Sequence, residues 1–220
     1  MQVLDGIKYT VDNGLAVISG FDEDICDDVV IPSSINGNIK VVGISPRAFY
    51  KCRYITSVTL PKSIEFIGKN AFAWCTALKR ISMPSVVSID DRAFMGCDRL
   101  SDVKFGPVLE CVGDKAFAYC TSLVAIRFPD SMRYMGEGVF EGCRHIRYVY
   151  IPRMIDEIKN GTFYACASLC EVEVNDTLKY IDEYSFAYCT SIALPEFPTK
   201  AIVNNNAFFG CDTIKVNCIA

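Results

Sequence analysis

The stretch EGCRHIRYVY holds the pair of residues with most chemical potential. Cys143 stands two before His145, the single histidine of this 220-residue chain. A thiol beside an imidazole is the pairing that generates a thiolate nucleophile. The chain carries 12 cysteines in all, a number that raises two further chemistries, a disulfide framework or a metal site. The spacing supports neither. No CxxC pair occurs, and one histidine cannot complete a mixed cysteine–histidine zinc set. The acidic runs DEDICDD and IDDRAF could attract calcium, but they lack the regular ligand spacing and glycine turn of a calcium loop. No glycine loop for phosphate appears. The expectation is a protein with no catalytic residue, no cofactor and no metal.

The elements that position the cysteines explain why. In AFAWCTALKRISMP, Phe72 precedes Cys75 by three, and the same phrase returns along the chain. The pairs are Phe49/Cys52, Phe72/Cys75, Phe94/Cys97, Phe117/Cys120, Phe140/Cys143, Phe163/Cys166, Phe186/Cys189 and Phe208/Cys211, spaced 22 or 23 residues apart. An Ile or Leu follows each cysteine by three. Six and eight past it stand apolar pairs such as Val58/Leu60, Ile81/Met83 and Ile126/Phe128. Their alternation with polar neighbours predicts a short strand with one buried face. Proline closes four of these segments, at Pro61, Pro84, Pro129 and Pro152, because it cannot donate to a ladder. A second apolar pair follows three residues apart, as in Ile64/Ile67 and Met132/Met135, and predicts a second short strand. The Ala-Phe-x-x-Cys piece is too short for an independent helix and predicts one helical turn. No copy buries its own apolar face, so about eight copies must stack into a solenoid with a continuous core.

This stacking assigns the cysteines. Equivalent residues in neighbouring coils lie about 4.8 Å apart with parallel side chains, which suits a disulfide poorly. A row of buried, reduced thiols is expected, acting as small apolar side chains. Cys26, Cys111, Cys170 and Cys218 fall outside that row, with Cys111 at the position of Phe66 or Tyr134 and Cys170 on a strand. His145 occupies a variable corner site, held elsewhere by Ala77, Arg99 or Ser122, and is expected to be an exposed loop residue.

The phrase LPKSIEFIGKNAFAWCTALKRISMP resembles the BspA-like leucine-rich repeats, and the likeness extends over about residues 29 to 215. The fold expected is an α/β leucine-rich-repeat solenoid of about eight coils of 22 to 23 residues, with short strands and short helical turns. Two copies depart from the pattern. SIALPEFPTKAIVNNNAFFGC loses a residue and places Pro195 at the first strand position, and CDTIKVNCIA stops short of a full turn. The residues point to a non-enzymatic, protein-binding solenoid, and the resemblance implies an adhesin-like place at a microbial cell surface or secreted. A host or extracellular-matrix protein is the kind of ligand it implies. An intracellular, cytoplasmic scaffold is the alternative, and it fits the reduced thiols and the opening residues, which do not read as a leader.

The ends are read separately. GIKYTVDNGLAVISG has Asn13-Gly14 between alternating segments, the signature of a two-residue hairpin turn. The expected division is an N-terminal β-hairpin cap over 1–28 and the solenoid over 29–220, together one domain. The ending NCIA is apolar and uncapped, which allows oligomer formation through that end. A net charge of -4 argues against a nucleic-acid partner, which needs a basic stripe. No apolar run approaches the roughly 18 residues of a membrane span.

What remains for function is surface. On the first strand of each coil, the residues five and seven past the cysteine point outward. They include Arg80, Lys104, Arg127, Tyr148 with Tyr150, and Glu171 with Glu173. Laid on one sheet, they predict a protein-binding face running from basic through paired tyrosines to acidic. Tyrosine and arginine are the residue types that anchor such interfaces. Trp74, Tyr119 and Tyr188 precede the row cysteine and are expected to lean on the outer wall.

Overall fold

The computed structural model describes residues 2–4, 6–22, 26–193 and 197–211. Pro195, Cys218 and the apolar ending lie outside the described residues.

Each coil contributes a main strand and a shorter second strand on the opposite side of a shared core. The main strands are Asp27–Val30, Ile55–Thr59, Arg80–Met83, Asp102–Phe105, Ala125–Arg127, Tyr148–Tyr150 and Glu171–Glu173. The second strands are Phe66–Ile67, Ser88–Ile89, Cys111–Val112, Tyr134–Met135, Glu157–Ile158, Tyr180–Ile181 and Ile202–Val203. Equivalent residues pair in parallel, as in Ser57↔Arg80 and Phe66↔Ser88↔Cys111↔Tyr134. Strands this short do not persist alone, and stacking supplies both their ladder bonds and their buried face. Cys170 lies just before the strand Glu171–Glu173 rather than on it.

Phenylalanine builds the centre. From Phe21 through Phe49 to Phe208 the rings stack nearly parallel, with centroids 4.9 to 6.0 Å apart. Beside them runs the row of cysteines. Cys75 Sγ donates to the carbonyl of Phe49 at 3.0 Å, Cys97 to Phe72 at 3.1 Å, and Cys143 to Phe117 at 3.1 Å. From Cys75 to Cys211, each thiol of the row bonds a backbone oxygen of the preceding coil. Cys52 through Cys189 in this row are buried, and Cys211 is half-buried.

The expected helical turns do not form, because the backbone is left-handed twice at this turn in every coil from Phe49 to Phe186 and once, at Gly210, in the last. Asn70 and Trp74 have φ of 56° and 63°, and Lys115 and Tyr119 have 55° and 61°. A right-handed helix cannot pass through such residues. The N–H groups alternate instead between their own turn and the next coil. Ala71, Ala73 and Cys75 donate three residues back, to Gly68, Asn70 and Phe72. Asn70, Phe72 and Trp74 donate across, to Asp91, Ala93 and Met95. This corner is therefore a third inter-coil ladder. Glycine at 96, 138, 142, 161 and 210, all with positive φ, was its trace in the sequence.

The main strands do not form one continuous sheet either. Asp27–Val30 to Asp102–Phe105 make a four-stranded sheet, and Ala125–Arg127 to Glu171–Glu173 make a separate three-stranded one. The interruption falls between the two coils that place phenylalanine, Phe105 and Phe128, where others hold Leu60, Met83 or Ile151. Those rings sit 5.1 Å apart and tilted by 34°, with Phe105 edge-on to Phe117.

At the N-terminal end, Ile7–Asp12 and Leu15–Phe21 form an antiparallel hairpin through Asn13 and Gly14, both at positive φ. Leu15–Phe21 then pairs in parallel with Ile39–Ile44, and Phe21 stacks on Phe49 at 5.6 Å. Among the described residues no helix is long and apolar enough to cross a membrane.

Candidate binding face

The cysteine–histidine pairing dissolves at the level of geometry. The Cys143 thiol points inward to Phe117, and burial pushes its pKa up to about 12. His145 is exposed at the corner, with Nδ1 2.6 Å from the carbonyl of Thr121. Burial likewise raises the thiols of Cys75, Cys120 and Cys166 well above the ordinary value. These groups hold neighbouring coils together.

The three-stranded main sheet gathers most of the expected face. Alternation turns Val149 and Val172 inward and leaves Tyr148, Tyr150, Glu171 and Glu173 outward. Parallel register sets two rows across the strands, Arg127↔Tyr150↔Glu173 and Ala125↔Tyr148↔Glu171. The guanidinium of Arg127 lies over the Tyr150 ring, 4.4 Å from its centroid, and Nη1 reaches the Tyr148 hydroxyl at 3.4 Å. Tyr148 donates in turn to Glu173, and Tyr150 donates to Asp130 at 2.9 Å. Those carboxylates hold both phenols protonated, above the usual tyrosine value.

Arg80 and Lys104 lie on the other main sheet and join no part of this cluster. Arg80 stands 3.7 Å from Asp28, and Lys104 stands 3.9 Å from Asp102. Asp28 also accepts from Ser57 at 2.5 Å and from Thr56 at 3.2 Å, which lowers its pKa, with Arg80 adding to the effect. The expected basic stretch is neutralised within its own sheet. Sequence reasoning missed Asp28 and Asp130. Asp130 carries no periodic signal, since its equivalents are Lys62, Ser85 and Arg153.

The turn wall holds the other exposed aromatics, and they are seated differently. Trp74 packs on Gly96 of the next coil so closely that a side-chain carbon there would lie 2.5 Å from the ring. Tyr119 sits on Gly142, and Tyr188 on Gly210, in the same way. Tyr119 also donates to Glu141 at 2.5 Å, and Lys115 pairs with the same carboxylate at 2.8 Å.

The family described as "BspA type Leucine rich repeat region" matches residues 27–110 and 87–215, in six copies. The chain belongs to the BspA-type leucine-rich repeat family. Among solved structures, this BspA-type solenoid is similar to the T. pallidum leucine-rich repeat protein. The TM-score is 0.80 at 29% identity, over 87% of this chain and 90% of that one. A leucine-rich cell surface protein from Faecalibacterium prausnitzii shares the fold at 18% identity and TM-score 0.53, over 97% and 86%. No curated protein matches the chain in sequence. The repeated phenylalanines and cysteines, from Phe49 to Cys211, lie within the matched residues of this BspA-type chain.

Proposed function

We propose that this BspA-type solenoid is a non-enzymatic protein-binding module. Its working surface is the main-strand face centred on Arg127, Tyr148, Tyr150, Glu171 and Glu173, with Arg80 and Lys104 as a flanking rim. One observation carries this reading: the outward side chains of the three-stranded sheet are already tied together before any partner arrives. An interface whose rotamers are fixed in advance loses less entropy on association, and tyrosine with arginine supplies most binding energy at such sites. The hairpin within residues 1–28 serves as the cap that closes the core. Family membership supports a place at the cell surface or outside the cell, in an adhesin-like role.

The test is a protein ligand captured by the folded solenoid and measured by calorimetry. Changing Tyr148→Ala together with Tyr150→Ala should weaken binding by more than about 2 kcal/mol. A captured ligand indifferent to that pair, and sensitive to Trp74→Ala, would move the function to the turn wall.

An intracellular scaffold is the second reading. The buried thiols favour it, because Cys75 through Cys189 donate to carbonyls rather than joining in disulfides, as expected of a reducing compartment. Protease shaving of intact cells separates the two: loss of the protein supports surface display, and full protection supports the scaffold.

A further inference from the structure

We propose that the row Ala125–Tyr148–Glu171 is a seat for an arginine side chain of the partner protein. The inference rests on the reading of this face as the working surface, and it adds the chemistry of what the face takes.

The molecule supplies the template itself. On the row Arg127↔Tyr150↔Glu173, its own arginine lies over a tyrosine ring with a carboxylate on the next strand. The parallel row has the same ring and the same carboxylate, but a methyl group, Ala125, where the arginine would stand. Ala125 and Glu171 are exposed and Tyr148 is half-exposed. Glu171 has no ion-pair partner among the described residues.

The hydrogen-bond accounting selects the same guest. Both phenols already donate, Tyr148 to Glu173 and Tyr150 to Asp130, so neither offers a proton to a partner. The Arg127 guanidinium is engaged with both tyrosines. The face therefore presents acceptors and ring surface, and its complement is a planar cation. Guanidinium stacks on an aromatic ring and forks onto a carboxylate, whereas ammonium is a compact point charge without a flat face. Neighbouring strands about 4.8 Å apart put the Tyr148 ring and the Glu171 carboxylate within reach of one such side chain.

The probe is a fluorescein-labelled peptide, Gly-Ser-Arg-Ser-Arg-Ser-Gly, titrated with the full chain at low ionic strength. Two companions carry lysine or neutral citrulline in place of arginine. The arginine peptide should bind about tenfold tighter than the citrulline peptide, the value of a charge-assisted contact, with lysine between them. Ala125→Arg fills the seat from within, as Arg127 does on its own row, and should abolish binding while the thermal melt stays unchanged. Glu171→Gln, which does not alter the core, should weaken binding about tenfold, and Glu137→Gln on the turn wall should leave it alone. Equal binding of arginine and citrulline peptides overturns the proposal. So does an equal loss with Glu171→Gln and Glu137→Gln, which would reduce the effect to overall negative charge. If a protein ligand depends on Tyr148 and Tyr150 but tolerates Ala125→Arg, the seat is wrong and the face stands. Indifference to all three changes removes the face as well.

Discussion

The turn wall and the main-strand face both carry exposed aromatic rings, and they use them oppositely. On the wall, Trp74, Tyr119 and Tyr188 each rest on a glycine of the next coil. On the face, Tyr148 and Tyr150 stand on adjacent outward positions, with their hydroxyls on carboxylates and one ring under Arg127. A ring seated on backbone is committed to holding coils together. A ring standing among charges on an outward strand position is, under the proposed function, the one offered to a partner. Exposure alone therefore does not identify a working surface. What each ring rests on does.

The strongest way to break this comparison lies under the wall. Phe117 is fully buried in the phenylalanine stack, and Phe117→Ala should cost about 3–5 kcal/mol in denaturant melts. Phe208 is only partly buried, so Phe208→Ala should cost clearly less. Equal losses would contradict a core that depends on neighbours at both sides.

Next comes the wall itself. Gly142 has φ of 71°, and a side-chain carbon would meet the Tyr119 ring at 2.6 Å. Gly142→Val combines left-handed strain with a clash and should destabilise by about 3 kcal/mol. Trp74→Ala should lose about 1–2 kcal/mol of stability, since part of its ring is already in water. Tyr148→Ala with Tyr150→Ala should change the melt by less than about 1 kcal/mol, although it disables the proposed interface. A melt in which the tyrosine pair matters more than Trp74 would invert the comparison.

The smallest effects are protonic. With Cys143 pushed up to about 12 by burial, native protein at pH 8 should react slowly with a thiol reagent at the row cysteines and quickly once unfolded. Rapid native reaction would show that the row is open to solvent. The phenols of Tyr148 and Tyr150 titrate above their ordinary value of 10.0, chiefly through hydrogen bonds to Glu173 and Asp130. Folded values raised above unfolded ones mean a stabilising contribution fully present below about pH 10 and lost as pH rises through the raised values. Absorbance titration of Tyr148→Phe and Tyr150→Phe should remove late-titrating phenols, and removal of early ones would show the hydroxyls to be free.

The repeat was legible without coordinates because burial repeats with the coil. Phe49 to Phe208, the cysteines and the paired apolar residues recur in type and spacing, and one stacked core is the arrangement that buries them all. The hairpin turn at Asn13-Gly14 was equally local, since positive φ at two successive residues selects those types. Three features were decided only in three dimensions. The corner became a ladder rather than a helical turn, because alternate N–H groups bond to the next coil, 21 or 22 residues on, and glycine marks the left-handed positions in only some copies. The main sheet divides between the coils of Phe105 and Phe128, a break visible only once the two strands are side by side. The pairing of Tyr150 with Asp130 and of Arg80 with Asp28 joins residues from different coils at positions that do not repeat in type. Periodicity fixes what faces the core, since every coil meets the same interior. Outward side chains choose partners by distance and charge, and those exist only once the coils are stacked.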